Sequence, residues 1–428
     1  MKPMPALPDA LAPLIDALAA QGVRPVFVGG YVRDALLEVP SKDIDIECFG
    51  AGSLEALIPL LTPFGSVNSV GKSFGVLKLS LGDYDLDLSL PRVETKTGPG
   101  HTGFAVTTFE TFDFKTAAKR RDFTVNAIGY DPVKKELLDP YGGERDLETQ
   151  TLRCVNESTF VEDPLRLLRA VQFSARFRLI PDPHLIRLAH TMMAQGMLAE
   201  LPKERIFEEF KKLLLKSDTP SVGLRTMHLL HITPFFPELA ALVATDLWDI
   251  VLRALDTMAV IRRRVNSDPL AMMFAPLCIG MQDPNAFLTS LTDDKRLVLN
   301  VLDYVKYHGQ PERLYAEAAP DAEVMRLARD VRIDTIAAVA EACYRGRHPA
   351  AETSDAVVWL LHKAERLGVL NAPRSALLNG EALIAAGLSP SPRFKTILDA
   401  AYDAQLEGAF SDEEGAKAWL KDYLSDLG

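Results

Sequence analysis

The fold is decided by Arg24-Pro-Val-Phe-Val-Gly-Gly30, by Tyr31-Val-Arg-Asp-Ala-Leu-Leu-Glu38, and by Asp43-Ile-Asp-Ile-Glu-Cys-Phe49. The first run is apolar and ends in paired glycines, which marks a strand feeding a tight turn. The second has the pattern of a short helix, and the third alternates polar with apolar at period two, as a half-buried strand does. On that strand Asp43 and Asp45 project from one face while Ile44 and Ile46 point into the core.

Outward from this unit, a helical pattern from about Leu7 to Ala20 stops at Gly22, and Gly75 to Leu81 and Tyr84 to Leu90 alternate as strands. Residues 91–104, rich in Gly, Pro and polar side chains, are expected to form a mobile connection. From Glu162 onward strand signals fade and amphipathic helical patterns continue to the C-terminus. The expected class is α+β: a head over 1–150, a helical neck over 151–216, and a helical body and tail over 217–428.

The length of 428 residues suffices for a large core without disulfide staples, and 48% hydrophobic with 25% charged residues is an ordinary globular balance. The longest nearly unbroken apolar run, Leu270 to Met281, falls short of the roughly 18 residues of a membrane span. Pro3, Pro5, Pro8, Asp9 and Asp16 interrupt any secretory leader, and four widely spaced cysteines without a CxxC pair predict reduced thiols in the cytoplasm. The net charge of −11 argues against indiscriminate coating of nucleic acid, and no membrane or DNA partner is expected. Residues 1–216 carry only −3 of that charge, so the basic side chains of interest lie in the first half.

Carboxylates two apart on one strand face suit a divalent cation, and two Mg²⁺ ions bridged by such acids activate a hydroxyl and stabilise a pyrophosphate leaving group. An isolated Asp-x-Asp is also a common surface pattern, so Asp43 and Asp45 gain weight only from their surroundings. Gly29 and Gly30 let phosphate oxygens approach backbone N–H groups, Arg33 offers a charge-assisted contact, and Asp34 either holds that arginine or caps a neighbouring turn. Asp87 becomes a third acid beside the pair if its strand is a neighbour; a solvated strand face explains it equally well. Gly65 to Ser73 nearly spells a phosphate-binding loop, but its spacing is one residue too long and a strand pattern follows.

Lys119-Arg-Arg-Asp-Phe-Thr-Val-Asn126 sets three cations beside an acid and an amide, a set able to grip a triphosphate and a ribose or simply to end a helix. In Glu162-Asp-Pro-Leu-Arg-Leu-Leu-Arg169, Pro164 suits a first helical turn, with Asp163 and Arg166 three apart. Cytosine and adenine both present an amino donor next to a ring nitrogen acceptor, whereas guanine and uracil present a carbonyl next to an N–H. A carboxylate beside a guanidinium is therefore able to accept C and A and reject G and U. The rival reading makes Asp163 a helix cap and leaves Arg166 and Arg169 on the surface.

Taken in order, Gly29–Asp34, Lys42–Glu47, Arg120–Ala127, Asp139–Gly143, Glu162–Arg166 and Glu204–Lys211 resemble the class II tRNA nucleotidyltransferases, the CCA-adding enzymes, and their bacterial poly(A) polymerase relatives. The resemblance implies a polymerase-β-like head and template-independent transfer of CMP and AMP from CTP and ATP to the 3′ end of a tRNA acceptor arm. It implies that Asp43 and Asp45 bind Mg²⁺, that Gly29, Gly30, Arg33, Arg121 and Asn126 contact the nucleotide, that Asp163 and Arg166 read the base, and that Arg169 reaches the phosphates. Gln172 stands where some members carry a further arginine. CC-only addition, A-only addition, poly(A) synthesis and an inactive RNA-binding relative share these motifs. The second half resembles an HD phosphohydrolase module without its His-Asp pair: Leu277-Cys-Ile-Gly280 and Trp248-Asp249 stand there, and His308 alone remains.

Overall fold

A computed structural model describes residues 8–68, 75–96, 104–108 and 113–426. Two compact units emerge, one of residues 1–213 with 222–235, the other of 214–221 with 236–428. In the first unit, helix α1 (Ala12–Ala20) buries Leu14, Ile15 and Leu18. It ends where Gly22 takes φ +76°, a left-handed conformation that closes the helix with N–H bonds from Gly22 to Ala19 and from Val23 to Leu18.

In chain order the first nine strands of this unit are β1 (Arg24–Val28), β2 (Asp43–Phe49), β3 (Val67–Asn68), β4 (Val76–Leu81), β5 (Tyr84–Ser89), β6 (Arg92–Lys96), β7 (Phe104–Thr108), β8 (Gly129–Asp131) and β9 (Glu136–Leu138). Seven of them form one sheet in the order β3-β4-β5-β2-β1-β8-β9. β2 runs antiparallel to β1 and parallel to β5, with Val28 opposite Asp45, Val26 opposite Glu47, Asp43 opposite Asp85 and Asp45 opposite Asp87. The alternation read from the sequence is realised: Ile44 and Ile46 are buried while Asp43 and Asp45 stay accessible. The paired glycines lead into α2 (Gly30–Leu36), as expected.

Two expectations need correction. Residues 92–96 and 104–108 pair as antiparallel strands, so the connection expected over 91–104 is strand at both ends; its centre, 97–103, lies outside the described residues. β-Branched and alternating residues in Arg92-Val-Glu-Thr-Lys96 outweigh the Gly-Pro signal that follows them. Beyond Glu162, Ile180–Pro181 adds a short parallel ladder to Thr151–Leu152. Most of the near phosphate-binding loop, 69–73, also lies outside the described residues.

After the sheet come α3 (Leu54–Leu61, between β2 and β3), α4 (Phe114–Ala118), α5 (Gly143–Glu148), α6 (Glu157–Phe160), α7 (Leu165–Phe177), α8 (Pro183–Ala194) and α9 (Lys203–Lys216). Asp139 caps α5 by accepting from the N–H groups of Gly143 and Glu144 at 2.7 and 2.9 Å, so Asp139–Gly143 is a structural turn. Phe123 joins the head segment to the helices that follow, edge-on to Phe160 and to Phe173 with centroids 5.7 Å apart in both cases. The second unit is helical. Pro269–Ile279 is apolar on all sides and buries Ala271 through Cys278 among Leu247–Ile261, Lys295–Tyr307 and Ile333–Arg347. Leu378, Leu383, Ile397, Ala401, Phe410, Ala416 and Leu420 close a separate tail cluster. Among the described residues no helix is long and apolar enough to cross a membrane.

Because Phe123 is fully buried at the joint between segments, Phe123→Ala is expected to cost about 3–5 kcal/mol. Denaturant titration of the full chain checks this as a lowered first transition; an unchanged midpoint would show that the ring cluster is not the joint.

Candidate active site

The register of β1, β2 and β5 places an acidic face beside a glycine turn. Asp43, Asp45, Asp85 and Asp87 share one hollow of about 670 Å³ with Lys78 and Ser80. Gly29, directly after the residue opposite Asp45, has φ +70°, and a Cβ there would lie 2.8 Å from Arg121 Nη1 and 3.4 Å from Asp45 Oδ2. Glycine is favoured there by its backbone conformation, and a Cβ would also displace the tip of the Arg121 guanidinium.

Loss of solvation pushes the Asp45 carboxyl above its ordinary range. Arg121 pulls it back, and Asp87, Glu47 and Asp43 push it further up. This surplus of negative charge fits a divalent cation. Asp87, expected as a possible third ligand, is indeed a strand neighbour, but Lys78 pairs with it at 3.1 Å. Among the described residues no three His, Cys, Asp or Glu side chains converge as a metal cage. Two carboxylates suit Mg²⁺ nonetheless, since that ion takes one or two protein carboxylates and completes its shell with water and substrate phosphate.

Next to the acidic face runs a buried chain of charges. Arg33 is 4% exposed and donates to Asn126 Oδ1 at 2.5 Å and to Asp34 Oδ1 at 2.6 and 2.8 Å. Its guanidinium lies 4.2 Å from the Phe177 ring centroid and 5.3 Å from that of Phe173. The arginine expected to reach phosphate is thus turned inward, and Asp34 holds it. Asn126 donates to Asp122, which also accepts from the Phe123 N–H and from Arg169 at 2.6 Å. Asp122 is desolvated, but Arg169, Asn126 and Arg166 outweigh that cost and hold its carboxyl below the ordinary range. Arg169, expected at phosphates, is held by Asp122 at the end of this chain.

Asp163 and Arg166 sit three apart at the start of α7, yet each is held by other groups. Arg166 donates to the carbonyls of Thr159 at 2.9 Å and Arg120 at 2.6 Å. Asp163 accepts from the Leu165 N–H at 3.2 Å and from Arg205 of α9 at 3.3 Å. Asp163 thus meets an N–H at the helix start, while Arg166 and Arg169 are part-buried and bonded to Arg120 and Asp122 rather than left on the surface. Charges within Glu204–Lys211 pair along α9 as expected in Glu208 with Lys211, whereas Arg205 reaches across to Asp163. Gln172 is buried and accepts from Arg176, which brings another cation over the Phe173 and Phe177 rings.

The residues that sequence reading left without a role are Glu47, Asp122 and Arg205. Glu47 carried a signal, as an acid on the Asp43–Asp45 face at a position where the strand becomes buried. Arg205 carried none, because its partner is 42 residues away. In the second unit, Cys278 is buried, and His308 is satisfied locally by the Val305 carbonyl at 2.7 Å.

Residues 26–153 match the family described as the Poly A polymerase head domain, and 186–243 match a probable RNA and SrmB-binding site of polymerase A. Over these segments the chain is similar to the head and RNA-binding portions of that polymerase family. A Multifunctional CCA protein of Stenotrophomonas maltophilia is 40% identical over 220 residues, 50% of this chain and 52% of that protein. One from Xylella fastidiosa is 37% identical over 230 residues, 51% of each chain. The chain thus spans about half the length of the curated relatives it matches. The fold extends further. The Bacillus stearothermophilus CCA-adding enzyme in complex with CTP superposes with a TM-score of 0.75 at 22% identity, covering 98% of this chain and 99% of that one. The Thermotoga maritima CCA-adding enzyme complexed with tRNA gives 0.66 at 22% identity, covering 99% and 97%. The acidic face and the charge chain both lie in the first unit.

Removing the Asp122 charge leaves Arg169 without its partner, so Asp122→Asn is expected to lower stability at pH 7 by about 2–3 kcal/mol. The folded carboxyl titrates below its unfolded value. Its contribution is therefore present above about pH 4 and lost as pH falls through the folded value. Denaturant titrations at pH 7 and pH 3 should show the two proteins converging in acid. A constant gap would contradict the assignment.

Proposed function

We propose that the chain transfers CMP and AMP from CTP and ATP to the 3′ end of tRNA, completing CCA and releasing pyrophosphate, in the cytoplasm. The observation that carries this is the Asp43–Asp45 pair beside the Gly29 turn, with the Arg121 guanidinium between them. Relatives named Multifunctional CCA protein and the fold of CCA-adding enzymes described with CTP, ATP and tRNA support it.

Asp43 and Asp45 are the residues that would hold Mg²⁺. When bound there, Mg²⁺ supplies charge that lowers the pKa of an attacking hydroxyl and stabilises a departing pyrophosphate, with two ions expected. Gly29 and Gly30 leave room for phosphate oxygens at the strand end, and Arg121 meets them with a guanidinium already in place. The 3′-hydroxyl of the RNA attacks the α-phosphorus in line, forming the P–O bond as the bond to pyrophosphate breaks. Arg166, locked by two backbone carbonyls, donates to the ring nitrogen of cytosine or adenine, while Asp163 accepts from the amino group. Arg169 and Arg33, tied through Asp122 and Asn126, set the distance between base reader and phosphate turn. The acceptor arm is read through its backbone and 2′-hydroxyls, so affinity falls with salt.

Poly(A) synthesis is the second reading, favoured by the description of the head family. Incubating the protein with tRNA lacking its terminal CCA, with CTP and ATP singly and together, and sequencing the product ends separates the two. The expected product is CCA from both nucleotides and CC from CTP alone; long adenosine tails would replace this reading with the second. Asp45→Ala is expected to reduce incorporation roughly a thousandfold. Since burial and neighbouring acids disfavour the Asp45 charge, its thermal midpoint should stay level or rise. Retained turnover would remove the metal assignment.

A further inference from the structure

Glu47 lies on the same strand as the acid pair, yet it is 1% exposed, and β2 is otherwise apolar from Ile46 to Phe49. A buried carboxylate is costly unless its charge is used, and a Val or Leu would fill the position without that cost. One oxygen, Oε1, accepts from Arg120 at 2.9 Å and from Arg121 at 3.1 Å. Oε2 is buried without a hydrogen-bond partner among the described residues, so the side chain is held by these arginines alone.

Both arginines lead to the site. Arg121 ends against Gly29 and beside Asp45, whose carboxylate is the alternative acceptor within reach. Arg120 offers its carbonyl to the guanidinium of Arg166 at 2.6 Å, and Arg166 is also held by Thr159. Glu47 therefore fixes two things at once. It tethers the Arg121 cation off the acid pair, and it anchors the turn whose carbonyl aims the base-reading arginine.

We propose that Glu47 is a positioning residue that couples nucleotide phosphate binding to base selection, acting through Arg121 and Arg120. The proposal rests on the nucleotide-transfer reading for the roles of Arg121 and Arg166, but not on the identity of the RNA. With Glu47 neutralised, Arg121 folds onto Asp45 and is withdrawn from phosphate, while the 120–121 turn loosens and Arg166 loses its fixed aim. Affinity and discrimination then fall together.

The test is Glu47→Gln, which keeps volume and one acceptor oxygen while removing the charge, with Glu47→Asp as the variant that restores charge. Calorimetric binding of CTP, ATP, UTP and GTP to the full chain without RNA is measured beside steady-state incorporation. For Glu47→Gln the expected result is about a tenfold rise in KM for CTP and ATP, matched by weaker binding. The preference for CTP and ATP over UTP and GTP should fall about tenfold, and kcat should fall less than KM rises. Glu47→Asp should recover part of both effects. In an Arg121→Ala background, Glu47→Gln should leave nucleotide affinity where Arg121→Ala put it and still relax base preference through Arg120. A lowered thermal midpoint with unchanged affinity and preference would make Glu47 a packing residue and overturn the proposal, as would additive effects on affinity in the double variant. If the wild type binds CTP and ATP but does not extend tRNA, the reading of the RNA substrate fails while this inference is still decided by the binding data.

Discussion

The first unit depends on one buried carboxylate. Asp122 accepts from the Phe123 N–H, from Asn126 and from Arg169, and through Asn126 it reaches Arg33 at the glycine turn. Three elements distant in sequence, α2, the 120–127 segment and α7, are thereby fixed by charge. The Phe123 ring fixes the last two again by packing. A carboxylate so deeply placed is tolerable because each charge in the chain is met by hydrogen bonds of the opposite sense. The arrangement is rigid for the same reason, since moving any member strands another in a poorly solvated interior.

On β2 itself the constraint is register. A period of two lets one strand present Asp43 and Asp45 to solvent while Ile44 and Ile46 seal the core, and a slip of one residue would exchange the faces. The parallel pairing of β2 with β5 then doubles the acidic face, and Lys78 from β4 offsets part of it. The result is a strand end with more negative charge than its neighbouring Lys78 neutralises, which suits the proposed divalent ion.

Much of this was legible in the sequence, because strand alternation, paired glycines and an acid pair are local patterns. β2 spans Asp43–Phe49 as read, and the glycine turn and α2 follow from Val28-Gly-Gly-Tyr. What was not legible depends on long-range partners. Nothing local shows that Arg33 turns inward onto Asn126, 93 residues away, or that Arg205 reaches Asp163. Cationic side chains in a nucleotide-binding pattern are naturally assigned to phosphate. In the structure Arg121 lies against Gly29 and Asp45, whereas Arg33 is bonded to Asp34 and Asn126 and Arg169 to Asp122. The strands over 92–96 and 104–108 were hidden for a different reason, since Gly and Pro between them dominate the composition of the stretch.

The central claim is that the nucleotide triphosphate docks where the Asp43–Asp45 face meets Gly29 and Arg121, with its base directed to Asp163 and Arg166. Crystals grown with CTP and Mn²⁺ test it most directly, because Mn²⁺ replaces Mg²⁺ and its anomalous scattering marks its position. The account requires the manganese peak between the Asp43 and Asp45 carboxylates and the cytosine edge against Arg166. A manganese peak elsewhere, or a nucleotide bound away from Gly29, would contradict it.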